Sequence, residues 1–241
     1  MPSLSIPPSG RAFAVMAWIS VVLLLDADGS LGMQRVLGLA TWVLLVAALH
    51  GETLSVRVQT AVVVVFASAV EYTFAPLLEA YSYRFDNVPA YVPPGHGLVY
   101  LAALWLGRTR FVQRHLTGCA VAVVVVGGAY ALYGVTLADR VDVLGLFWFC
   151  CLVGFLLWGP SRPLYVGAFV VVTYLELLGT GLGNWEWAER SPFDLVPMGN
   201  PPSGAAGGYG WFDLAALLLT PPLLRWWSGR RVTPQEVLDS R

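Results

Sequence analysis

The feature that most constrains this chain is how its charge is distributed. Runs such as TAVVVVFASAV (60–70) and AVAVVVVGGAYALYGV (120–135) hold no charged side chain, and short arginine-bearing loops separate runs of this kind. Such runs read as membrane-spanning helices, because in hydrocarbon every backbone N–H and C=O must be satisfied within its own segment. Only 12% of the 241 residues are charged and 57% are hydrophobic. A soluble domain carries about twice that share of charge.

The pattern predicts an all-α polytopic membrane protein with about eight spans. They fall near 12–25, 35–50, 58–80, 97–107, 117–137, 142–158, 164–183 and 208–227. The fourth is short for a bilayer that needs about 20 residues, so it is expected to begin within the Pro-rich loop before it or to pack inside the bundle. The first follows Arg11 and resembles the apolar core of a secretory signal. No small-x-small cleavage site follows in LLLDADGSLG, which favours a retained span.

Arginine sets the expected orientation. With the N-terminus inside, Arg11, Arg57, Arg108, Arg110, Arg114, Arg162, Arg225, Arg230, Arg231 and Arg241 are cytoplasmic, whereas Arg35, Arg84, Arg140 and Arg190 lie outside. This asymmetry follows the positive-inside rule and predicts a multi-pass cell-membrane protein with both chain ends in the cytoplasm. The expected layout is a cytoplasmic N-terminus (1–11), a first four-helix repeat (12–107), an Arg-rich linker (108–116), a second repeat (117–227) and a cytoplasmic tail (228–241). A net charge of −1 without a basic stripe argues against a nucleic-acid partner. Cys119, Cys150 and Cys151 all fall in apolar segments and form no disulfide framework or metal-spacing motif.

The two halves echo each other. EYTFAPLLEAYSYRFDNVPAYVPPGHGLVYLAAL (71–104) and ELLGTGLGNWEWAERSPFDLVPMGNPPSGAAGGYGWFDLAAL (176–217) share five features in order. These are a glutamate inside a helix, an aromatic-x-aromatic pair, an arginine, a V-P-x-x-x-P-P phrase and a helix with L-A-A-L. Four spans per half make the repeats parallel, about an axis along the membrane normal. The second loop is longer, and His96 has no counterpart histidine. Proline fixes φ and removes a donor, so the V-P-x-x-x-P-P phrase reads as a stiff loop at the outer face.

The buried charges point to function. Glu71 and Glu176 lie well inside their helices, and a carboxylate there must face the bundle interior. Asp213, His96 and Tyr100 begin the helices beneath the two loops, so five polar groups are expected at one depth, with Glu79 nearer the rim. Four kinds of role fit such a cluster. It could lock the halves together, perform Brønsted catalysis on a lipid-soluble substrate, bind a metal, or relay ions. A carboxyl group in an apolar cavity can stay protonated near neutral pH and donate to an alkene or epoxide, while nearby aromatic faces stabilise the resulting cation. No H-x-x-x-H or E-x-x-H pair supports a metal, and no cofactor is expected. The expected catalytic set is Glu71, Asp213, Glu176 and His96, and the expected substrate-binding set is Tyr81, Tyr83, Tyr100, Trp185, Trp187 and Asn200.

ELLGTGLGNWEW resembles the glutamate–Gly–aromatic-x-aromatic pattern of the integral-membrane carotenoid hydratase family that acts on bacterioruberin precursors. YSYRFDNVPAYVP resembles that family's Y-x-Y…VP…P segment. The likeness covers the two loop regions and implies addition of water to an isoprenoid double bond. The arrangement of Glu71 and Asp213 is also similar to the separated Glu and Asp of small membrane-bound terpene cyclases. The expected partners are thus membrane lipids and an isoprenoid or other lipid substrate. A non-enzymatic lipid-binding or assembly protein, or a small transporter, is the alternative.

Overall fold

The computed structural model describes residues 6–228, so all but the first residue of the expected tail lies outside the described residues, as do Arg230, Arg231 and Arg241. The chain is mostly helical. Its helices are α1 (Pro8–Ala27), α2 (Leu31–His50), α3 (Leu54–Phe74), α4 (Val92–Gly107), α5 (Arg110–Arg114), α6 (Leu116–Thr136), α7 (Val143–Trp158), α8 (Arg162–Gly181) and α9 (Ala205–Ser228). Five of them, α1, α2, α3, α6 and α8, are long and apolar enough to cross a membrane, and α7 is apolar but shorter.

Local signals set the helix ends. The side chains of Ser30, Thr53, Thr109 and Asp142 accept hydrogen bonds from backbone N–H groups in the first turns of α2, α3, α5 and α7. Prolines occupy first-turn positions of α1, α4 and α8, where no intrahelical donor is lost. For this reason the VPPGHG segment is helical: α4 starts at Val92 and takes Pro93 and Pro94 into its first turn. The second V-P-x-x-x-P-P phrase stays in a loop, since α9 starts only at Ala205. The two phrases are therefore not one repeated loop. The helix expected to reach residue 80 stops at Phe74, just before Ala75–Pro76, and part of the expected Arg-rich linker forms α5.

Four helices make the centre. α4 lies along α8 and α3 along α9, and the square closes with α3 against α4 and α8 against α9. α1 and α2 flank α4, α7 flanks α9, and α6 leans on α7 and α8. The α4–α8 crossing is close enough to require glycine, because a Cβ on Gly167 would collide with the Ala103 carbonyl. Large apolar side chains such as Leu39, Val43, Val65, Val125 and Leu132 remain exposed on the outer faces. Helices apolar both inward and outward suit a hydrocarbon surround rather than water.

Among the described residues, arginines gather at the two ends of this bundle. At one end Arg11 and Arg108 lie 3.2 and 3.3 Å from the buried Glu52 carboxylate, which also accepts from Trp105 Nε1 at 2.8 Å. Arg57 donates to the carbonyls of Leu49 and His50, and Arg162 to that of Leu156, all close to helix C-termini that leave carbonyls unpaired. At the other end lie Arg84, Arg140 and Arg190, together with a two-stranded antiparallel sheet that an all-α expectation does not include.

Gly167→Ala should push α4 and α8 apart and destabilise the protein by about 1–3 kcal/mol, as overpacking does. Gly181→Ala, whose new methyl meets open space, is the control. Thermal unfolding of both variants in detergent checks this.

Candidate functional site

The sheet roofs the site. Strand β1 (Tyr81–Tyr83) pairs with β2 (Trp185–Trp187) in the register Tyr81 to Trp187, Ser82 to Glu186 and Tyr83 to Trp185. Side chains alternate along a strand, so all four aromatics are buried beneath the sheet while Ser82 and Glu186 face away from it. Tyr81 packs on Trp187 with ring centres 4.6 Å apart, and Tyr83 meets Trp185 at 6.1 Å. Such cross-strand aromatic pairs stabilise a short ladder that backbone bonding alone would leave marginal.

Each aromatic pair also holds a carboxyl group. The Tyr81 and Tyr83 hydroxyls donate to Glu71 Oε2 at 2.9 and 2.8 Å. The Trp185 and Trp187 indole N–H groups donate to Glu176 Oε2 at 3.1 and 3.2 Å. Burial, reinforced by the neighbouring Glu71 carboxylate, raises both tyrosine pKa values above the ordinary range, so both hydroxyls stay protonated and act as donors. His96 Nε2 lies 2.8 Å from Glu71 Oε1, so both Glu71 oxygens are engaged. Among the described residues, Glu176 Oε1 receives no hydrogen bond. The two carboxyl groups thus share one design but differ in how fully they are satisfied.

Beneath the sheet is a cavity of about 310 Å³, within the range of small-ligand pockets. Glu71, Glu176, His96, Tyr81, Tyr83, Trp185 and Trp187 all line it. It extends from Trp18 on α1 to Trp148 on α7, helices on opposite flanks of the central four. The rest of its wall is predominantly aliphatic and aromatic. Phe66, Phe74 and Trp211 line it while being 37–48% exposed on the helix exterior, so the cavity opens sideways between helices. A more polar groove of about 560 Å³ lies on the other side of the sheet, with Glu79, Asp86, Arg140, Glu186 and Glu189 on its walls. Tyr81, Tyr83 and Trp187 border both spaces.

Three expected site residues stand elsewhere. Asp213 and Tyr100 are buried but are not in the cavity wall, because each lies one helical turn beyond a residue that is, Tyr209 and His96 respectively. The Tyr100 hydroxyl donates to Gln59 Oε1 at 2.8 Å. Asn200 Oδ1 accepts from the Trp187 backbone N–H at 3.1 Å, so it anchors the second loop to the sheet rather than lining the cavity.

Other residues at the site had not been singled out. Tyr209 stacks on His96 with centres 5.2 Å apart and an interplanar angle of 27°, and it lines the cavity. The signal was present in G-x-G-x-x-x-L-A-A-L, which recurs at 95–104 and 208–217 and sets Tyr209 at the position of His96. Asp142 binds the second Pro-rich loop, accepting from the N–H groups of Gly199 and Ser203 at 2.9 and 2.6 Å. Asp26 accepts from the Tyr91 hydroxyl at 2.9 Å and from Asn184 Nδ2 at 3.1 Å, joining α1 to both halves. Burial and the Asp26 charge raise the Tyr91 pKa. Among the described residues no group of three or more His, Cys, Asp or Glu side chains is placed to hold a metal ion.

No family model, curated protein or solved structure matches the chain.

Tyr83→Phe removes one of the two hydroxyl donors to Glu71 Oε2 and should destabilise the fold by about 1–3 kcal/mol. Combined with Tyr81→Phe the effect should be non-additive by at least about 0.5 kcal/mol, since both serve one oxygen. Unfolding free energies of the two single variants and the double variant measure that coupling.

Proposed function

We propose that the chain is an integral membrane enzyme that performs acid–base chemistry on an isoprenoid or other apolar lipid, of the hydratase or cyclase type. In this reading eight helices span the membrane as two four-helix repeats about an axis along its normal. The arginine end and both termini face the cytoplasm, and the sheet end faces outward. The paired strands, the matching carboxyl–aromatic contacts and the recurrence of G-x-G-x-x-x-L-A-A-L support the repeat. The likeness of ELLGTGLGNWEW and YSYRFDNVPAYVP to carotenoid hydratases supports the reaction class.

One observation carries the reading: Glu71, His96 and Glu176 face a single apolar, aromatic cavity that opens sideways between helices. Apolar surroundings favour a neutral acid over a carboxylate. Glu71, with three donors, is suited to be the carboxylate, and Glu176, with a free oxygen, the acid. Glu176 gives its proton to one carbon of a C=C bond, the π pair becoming the new C–H bond. The cation left on the other carbon is stabilised by the faces of the surrounding rings. In hydration, water adds through its oxygen and sheds a proton to Glu71, while His96 holds that carboxylate in place. In cyclisation, a second double bond attacks the cation and the product loses its proton to Glu71. Asp213, outside the cavity wall, takes no direct part.

A non-enzymatic reading draws on the same contacts. Glu71 is saturated by hydrogen bonds, as expected of a clamp that only joins the two halves in a lipid-binding or assembly protein.

Glu71→Gln and Glu176→Gln keep shape and remove the acid or base. Each should lower product formation by about 10²-fold or more, the scale of a lost proton-transfer group, with expression and melting temperature retained. Lipid extracts from cells with and without the gene, compared by mass spectrometry, supply the assay. Identical isoprenoid profiles would remove the enzyme reading, and unfolding of both variants would favour the clamp.

A further inference from the structure

Three aromatic rings and one carboxyl group meet in the cavity wall. Trp187 on β2 stands between Trp148 on α7 and Tyr81 on β1. The Trp148 ring meets it at 73° with centres 5.8 Å apart, and the Tyr81 ring at 51° with centres 4.6 Å apart. Rings set at such angles form adjoining walls rather than a stack, and all three line the cavity. Trp187 Nε1 donates to Glu176 Oε2 at 3.2 Å, so the carboxyl group adjoins the middle wall.

Other contacts leave this corner free for a ligand. Among the described residues Glu176 Oε1 receives no hydrogen bond, although the residue is only 4% exposed and lines the cavity. Glu71 differs, since Tyr81, Tyr83 and His96 already engage both of its oxygens. Glu176 is therefore the carboxyl group left to meet an occupant. Among the described residues no arginine lines the cavity, and the chain contains no lysine, so the basic group in the wall is His96, bonded to Glu71. A ring face attracts a positive charge, and a carboxylate supplies the opposite charge that a cation needs on leaving water. Steeply angled rings beside a carboxylate thus suit an alkylated ammonium group. Its methyl groups lie against the rings, and it has no N–H that would demand an acceptor.

We propose that this corner is a binding site for a lipophilic ammonium ion, with the alkylated nitrogen among Trp148, Trp187 and Tyr81 and against an ionised Glu176. The hydrocarbon tail follows the apolar wall and leaves between the helices past Phe66, Phe74 or Trp211. This site rests on the acid–base reading for its purpose and deepens it. Once Glu176 has given its proton to an alkene, the same rings and carboxylate face the cation that results. An ammonium ion is a stable occupant of that place, so its binding is read without turnover.

The test is isothermal titration calorimetry of the full-length protein in nanodiscs of zwitterionic lipid, with the heat from empty nanodiscs subtracted. The probe is a hexanol tipped with trimethylammonium, compared with the neutral alcohol in which carbon replaces the nitrogen. The cation should bind saturably and about tenfold or more tightly than the neutral alcohol. Glu176→Gln and Trp148→Leu should each weaken cation binding about fivefold or more, and Trp148→Phe, which keeps a ring, should weaken it less than Trp148→Leu. Melting temperatures show which variants are folded. Trp148 is only half-buried and lies outside the sheet, so Trp148→Leu keeps the test decisive if Glu176→Gln does not fold. The proposal is overturned if the neutral alcohol binds as tightly as the cation, or if the folded variants bind the cation as the unaltered protein does. Cation binding with an unchanged isoprenoid profile would overturn only the enzyme reading, and lipid turnover without a preference for the cation would overturn only this site.

Discussion

Two carboxyl groups placed among apolar helices must find hydrogen-bond donors, and most of the sheet end is arranged around that need. A buried carboxyl without partners is costly enough to disfavour the fold. Neither α3 nor α8 can supply donors from its own turns, since backbone N–H groups inside a helix are already used. The donors come instead from three-residue strands that double back over the helix ends. Tyr81 and Tyr83 serve Glu71, and Trp185 and Trp187 serve Glu176. Pairing the strands places all four aromatics on one face, so a single sheet satisfies both carboxyl groups and closes the cavity beneath them.

The rest of the bundle holds that sheet in place. Asp26 ties α1 to Tyr91 before α4 and to Asn184 before β2. Asp142 ties the start of α7 to the loop before α9, and Arg140 donates to the carbonyls of Trp187 and Ala188 at the end of β2. Glu52 performs a similar service at the opposite end, joining the first turn of α1, the α2–α3 turn and α4 through Arg11, Trp105 and Arg108. Ionic contacts thus sit at the two ends, and the middle depends on close helix contact.

Much of the fold was legible in the sequence, and the reasons are local. Uncharged apolar runs between short arginine-bearing loops mark the helices, most of them within a few residues of their observed limits. Two boundaries moved for equally local reasons: Pro76 stops α3 despite the apolar Leu77 and Leu78 beyond it, and Pro93–Pro94 fit the first turn of α4. The strands were less legible. YSY and WEW read as interfacial aromatics, since three residues carry almost no strand signal and the pairing partner lies about a hundred positions away. Counting helix depth brought Glu71, Glu176 and His96 to one level but gave no direction around each helix axis. Tyr100 and Asp213 share the helix faces of His96 and Tyr209 but lie one turn farther along, a step finer than that count resolves, so they were grouped with a cavity they do not line. Contacts such as Asp26 with Asn184 depend wholly on tertiary packing and leave no mark in the local sequence.

The central claim is that one cavity beneath the sheet, bearing both carboxyl groups, holds an apolar chain. An experimental structure of the protein in native lipid tests it most directly. The account predicts continuous chain-like density running between the Trp18 and Trp148 flanks and passing within contact distance of Glu71 and Glu176. A cavity filled by ordered water, or divided so that the two carboxyl groups face separate spaces, would contradict it.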